Sequence, residues 1–204
     1  MAIGVAMFLA VITSCTTGAP EHPSEPTLPA PVPSITGAVM LGCSDTVSLS
    51  ARDHETPQLT VSQVVFTMID AAGHGDAYAT TGSPPVKDTQ RFGYFAKTPI
   101  LLPAEADWVT IEVVRTGGTE AWTAWVPAAV WTTGSEGSWR LDDYAGDALV
   151  ITLDRCRSTL GTRGLLGGLV MDRTGCFDVV VRTSTHPRGE RRTVSYGEDG
   201  CPGT

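Results

Sequence analysis

The chain has 204 residues, with 22 acidic side chains against 14 basic ones and a formal net charge of −8. That balance argues against a nucleic-acid surface, because phosphate binding needs a basic face. Gly (22) and Pro (14) are abundant, and no segment keeps a long helical periodicity.

The first element is an apolar run, Ala2 to Ile12. A bilayer span needs roughly 20 apolar residues, so this run is too short to cross. It has the length of a signal-peptide core, about 7–15 residues. It ends Ile12-Thr13-Ser14-Cys15, an aliphatic residue and a small pair before a cysteine. This resembles the lipobox of bacterial lipoproteins, although Met1 to Ser14 lacks the Lys or Arg that usually precedes the apolar core. The resemblance implies a signal peptide over 1–14, cleavage before Cys15, and diacylglycerol on the Cys15 thiol. It also implies a palmitate-bearing lipid anchor on the extracytoplasmic face of the cell membrane.

Residues 15–37 follow as a lipidated cysteine and a proline-rich spacer. Pro20, Pro23, Pro26 and Pro29 sit three apart, the repeat of a polyproline II helix. Proline fixes φ and removes a donor, so helix and sheet are both disfavoured. Extended at about 3.1 Å per residue, such a rod would hold a domain roughly 70 Å from the membrane.

The rest reads as all-β. TVSLSAR, WVTIEVVR, ALVITLD and CFDVVVR alternate with period two, placing Val109, Ile111, Leu149, Ile151, Phe177, Val179 and Val181 on inward faces. Thr110, Glu112, Asp178 and Arg182 take the opposite faces. LTVSQVVFTMID reads as one long strand or two with a break, and FGYFAK and AWTAWV as further strands. Turn signals such as AAGHGD and RTGGTE separate them. The expectation is an immunoglobulin-like β-sandwich over 38–158, with an eight-stranded barrel as the alternative. A small β-hairpin unit, stapled by a disulfide, is expected over 159–204. Its approach, the glycine-rich LGTRGLLGG, fits no nucleotide-binding fingerprint and reads as a loop.

With Cys15 lipidated, Cys43, Cys156, Cys176 and Cys201 remain, an even number in an exported domain. The favoured pairing is Cys43–Cys156 and Cys176–Cys201. Lysine occurs only at Lys87 and Lys97, a skew toward arginine that suggests a GC-rich genome. Lipobox, spacer and composition together resemble small envelope lipoproteins of actinobacteria.

Candidate sites are few. All five tryptophans fall between Trp108 and Trp139, and Trp122 and Trp125, three apart on one strand, should face opposite sides. Trp125, Trp131, Trp139 and Tyr144 are the candidates for an aromatic face that stacks sugar rings; the ordinary alternative is that they fill the core. Asp53-His54-Glu55, His74-Gly75-Asp76 and Asp142, Asp143 and Asp147 carry metal-capable groups, but on turns and without a ligand-set spacing. No G-x-S-x-G occurs, so no catalytic residue, metal or other cofactor is assigned. The functional expectation is a non-catalytic binding or scaffolding module at the cell envelope. Its partners would be the membrane, through the lipid, and an envelope polysaccharide or protein, with no nucleic acid. The alternatives are a carbohydrate-binding module and an extracytoplasmic hydrolase, which would need converging carboxylates or a serine beside His54, His74 or His186.

Overall fold

The computed structural model describes residues 31–49, 56–80, 91–116, 118–133, 140–153, 162–197 and 201. Within them the chain first lays down β1 (Ala38–Gly42), β2 (Val47–Leu49), β3 (Gln58–Val61), β4 (Val64–Thr67), β5 (His74–Gly75) and β6 (Tyr78–Ala79). Next come β7 (Tyr94–Lys97), β8 (Ile100–Leu101), β9 (Trp108–Arg115), β10 (Ala121–Val126) and a short helix, α1 (Ala128–Thr133). The last strands are β11 (Ala148–Thr152), β12 (Thr162–Met171), β13 (Gly175–Thr183) and β14 (Glu190–Tyr196).

These strands form two sheets and not a closed barrel, as the sandwich expectation required. The first sheet has the order β1-β11-β9-β13-β14-β5. Its two outer pairings, β1 with β11 and β14 with β5, are parallel, and the rest are antiparallel. The second runs β3-β4-β8-β12-β7-β6, with β2 and β10 also paired to β12. Val109, Ile111, Leu149, Ile151, Phe177, Val179 and Val181 meet Phe66, Ile100, Trp125, Leu165 and Leu169 in one core between the sheets. Each such side chain contributes about 1.5–3 kcal/mol by leaving water.

Trp122 and Trp125 do lie on opposite sides of β10, yet both are buried. Trp125 belongs to the core between the sheets. Trp122 sits in a second cluster, with Phe92, Phe95, Leu141 and Val170, against which the α1 residues Val130 and Trp131 pack together with Tyr144. Alternation separated the two rings correctly; it did not reveal that both faces of the strand are covered.

Two expectations do not hold. The part of LGTRGLLGG from Thr162 on is not a loop: Thr162 to Met171 is the longest strand among the described residues, and it sits at the centre of the second sheet. Its first half pairs with β2 and β8, its second half with β7 and β10. The glycines are there for backbone approach. A Cβ at Gly168 would stand 1.8 Å from the Ala96 carbonyl oxygen, and one at Gly164 would be 2.2 Å from that of Ile100. Nor do the described residues of the expected 159–204 unit stand apart as a hairpin of their own. β12 joins the second sheet while β13 and β14 join the first, so this stretch supplies strands to both layers.

The Cys176–Cys201 disulfide is present, with its Cα atoms 5.7 Å apart. Cys43 is also disulfide-bonded. Cys156, its expected partner, and the lipidation residue Cys15 lie outside the described residues.

Candidate functional site

LTVSQVVFTMID resolves into two strands, β3 and β4, with Val61 opposite Val64 across a two-residue turn. Both turn residues take the left-handed conformation, Ser62 at φ 45° and Gln63 at φ 68°. That is the geometry of a type I′ turn, which normally recruits Asn or Gly. Here the far sheet holds the turn in place. The Ser62 amide donates to Glu190 Oε2 at 2.9 Å, and its hydroxyl donates to the Val181 carbonyl at 3.0 Å. The Thr185 hydroxyl donates to Gln63 Oε1.

These bonds tie the end of β3 to the beginning of β14, two strands that belong to different sheets. β3 is the last strand of the second sheet. Among the described residues β14 is flanked by β5 only at Ser195 and Tyr196, and none flanks its first half on that side. Between the two edges lies a groove of about 680 Å³, lined by Gln58, Leu59, Thr60, Ala71, Ala72, Arg191, Arg192 and Thr193. At the Ala71–Ala72 end, the Asp70 carboxylate accepts from the amides of Ala72 and His74, both at 2.9 Å, and fixes the loop.

The backbone phase of each edge follows from single bonds. Met68 N donates to the Pro57 carbonyl at 2.8 Å, so Pro57 faces β4. With the two-residue period of an antiparallel pair, Leu59 and Val61 face β4 as well, and Gln58 and Thr60 turn their amides and carbonyls outward. Ser195 N donates to Gly73 O at 2.7 Å, on the β5 side. Thr193 and Arg191 therefore also point their backbone groups away from β13.

The groove is basic, for its lining holds two arginines and no acidic side chain. Arg191 Nε lies 3.1 Å from Asp178 Oδ2, and Arg192 Nη2 is paired with Glu190. Both arginine side chains remain more than half exposed, at 57% and 54%. Each is ion-paired through one nitrogen, and a guanidinium carries five N–H groups. The carboxylates are committed elsewhere too, Asp178 to the Thr193 hydroxyl and Glu190 to the Ser62 amide. Gln58 Nε2 is buried and has no hydrogen-bond partner among the described residues.

The residues expected to bind sugar are not gathered on an exposed face. Trp125 is 0% exposed, and its Nε1 donates to the Thr98 carbonyl inside the core. Trp131 and Tyr144 are half-buried against the second cluster. Trp139 lies outside the described residues, as do Asp53, His54 and Glu55. His74 is on β5 and His186 is in the β13–β14 turn, where its Nδ1 meets the Thr185 hydroxyl. Asp147 pairs with Arg115 at 2.8 Å. Among the described residues no three His, Cys, Asp or Glu side chains come together as a metal-binding group.

Sequence reasoning missed the groove entirely. Arg191-Arg192 opposite a strand opened by Pro57 was the signal, but it requires knowing that β3 and β14 become facing edges. No family model matches the chain, and neither a curated protein nor a solved structure matches it.

Proposed function

We propose that this chain is a lipid-anchored protein of the extracytoplasmic membrane face, whose β-sandwich is a non-catalytic binding module. Support for the anchor comes from the Ile12-Thr13-Ser14-Cys15 sequence after a short apolar core, and from the proline repeat that follows it. An oxidising location also suits a domain with paired cysteines. The observation that carries the binding half is the basic groove between β3 and β14, an open cleft between two edge segments that pair with no further strand among the described residues. The aromatic stacking face that a sugar-binding module would use has no counterpart among the described tryptophans, three of which are buried.

Metabolic labelling with palmitate, together with membrane fractionation, tests the reading. The wild type should take up label and sediment with membranes. Cys15→Ala should lose the label and keep its leader. A wild-type chain that is unlabelled and recovered in the cytosol with reduced thiols would overturn the proposal.

A further inference from the structure

We infer that the groove captures an extended acidic peptide segment of a partner protein, which adds to the second sheet as a strand beside β3. This deepens the binding-module reading and rests on it.

The outward amides and carbonyls of Gln58 and Thr60 form the pairing ladder of an edge strand, and among the described residues no hydrogen bond reaches them. Such an edge is a template for another strand. Strands pair at about 4.8 Å while packed sheets stand about 10 Å apart, so a strand added to β3 would lie across from β14 with room for side chains between. Alternate side chains of that strand would point at Arg192, which lies opposite Val179 in the β13–β14 register and so on the core-side face of β14. Their complement is carboxylate, because a guanidinium fork donates to two carboxylate oxygens at once. Gln58, which lines the groove, also carries a buried side-chain Nε2 with no hydrogen-bond partner among the described residues. Small side chains at Ala71 and Ala72 leave that end of the groove unobstructed. An anionic polysaccharide would meet the charge, but it would leave the edge ladder unpaired and find no aromatic ring in the lining.

The test uses the full-length chain in detergent and a fluorescent short peptide of alternating Glu and Val, read by anisotropy. Two further peptides carry N-methyl groups, one on every Val amide and one on every Glu amide. A strand on β3 directs only one of these two sets of amides at the protein. One methylated peptide should therefore bind like the parent and the other should be weakened about tenfold or more, since several backbone bonds are lost together. Arg192→Glu should weaken the parent by a similar factor. Amide exchange at Gln58 and Thr60 should slow when the peptide is added.

Loss of binding with both methylated peptides, or with neither, overturns strand addition. Binding of polygalacturonate in place of the peptide assigns the groove to an anionic sugar. A wild-type dimer that Arg192→Glu dissociates assigns it to a second copy of the chain. Failure of every probe while palmitate still labels Cys15 removes this inference alone; a failed labelling with intact peptide binding removes only the anchor.

Discussion

The amide of Ser62 donates to the carboxylate of Glu190 across 128 residues of chain, and this bond joins the edges of the two sheets at one end of the groove. It holds a turn that its own residues do not favour. An L-residue in the left-handed region gives up about 1–2 kcal/mol, and here two stand in succession. Strain of this kind persists where the surroundings impose it.

Replacing Gln63 with Gly should therefore raise stability by about 1 kcal/mol, because the exposed Thr185 contact it gives up is weaker than the strain it relieves. Glu190→Ala should do the opposite, lowering stability by about 1–3 kcal/mol as the Ser62 amide is left without its acceptor. Denaturant unfolding of the two variants against wild type measures both signs. If Gln63→Gly is destabilising, the turn is not strained.

Tyr196 links the layers in the interior. Its hydroxyl is 2.8 Å from that of Thr98, whose carbonyl accepts the Trp125 indole, so one buried chain of polar groups runs from the first sheet to the second. Burial pushes the phenol well above its ordinary value of 10.0, and the Thr98 hydrogen bond only partly offsets this. The folded state thus holds the proton that the unfolded chain releases above about pH 10. Its contribution to stability is whole below that pH and shrinks as the pH rises toward the folded value, by about 1.4 kcal/mol per unit. Tyr196→Phe should show a shallower alkaline loss of stability in urea titrations at successive pH values. Equal slopes for the two proteins would refute this account.

Much of the fold was legible from alternation. Phe177, Val179 and Val181 are on the inner face of β13 as the two-residue period required, and Leu149 and Ile151 on that of β11. Period two reports which side chains share a face but not whether the other face is covered. Hence Thr110 and Trp122, on faces read as outward or undecided, are buried, and Trp125 was a poor binding candidate. The glycines of β12 misled for a different reason. Local chemistry reads Gly as a turn, whereas here the requirement comes from neighbouring strands that the sequence does not show. The groove was illegible because its two walls, β3 and β14, are more than a hundred residues apart in the chain.

The packing around β12 leaves no room for a side chain at its centre. Gly168→Ala would place a Cβ against the Ala96 carbonyl at 1.8 Å, with Thr98 N at 2.8 Å, and both neighbours are backbone that cannot swing aside. Overpacking of this sort destabilises by about 1–3 kcal/mol, and a backbone clash at the sheet's central strand should fall at the upper end. Gly118, where a Cβ would meet nothing within 4 Å but φ is +83°, is the control: Gly118→Ala should show only the smaller penalty of a left-handed residue, about 1–2 kcal/mol. Thermal unfolding should rank Gly168→Ala below Gly118→Ala.

The Cys176–Cys201 bridge closes a span of 25 residues that holds the β13–β14 hairpin, and with it the arginines of the groove. A cross-link acts chiefly by narrowing the unfolded ensemble, and for a loop of this length the chain-entropy estimate is about 3–4 kcal/mol. Cys176 and Cys201 should therefore be replaced together by serine, so that no lone thiol remains to exchange with the Cys43 disulfide. The double variant should lose about that much stability in denaturant. Because β13 is also paired to β9 along seven residues from Phe177 to Thr183, the hairpin should stay docked and the variant should keep its β circular dichroism at low temperature. A fall in stability with peptide binding at Arg192 intact would show the bridge supporting the hairpin without shaping the groove; an unfolded spectrum would show instead that the strand ladder cannot hold β14 unaided.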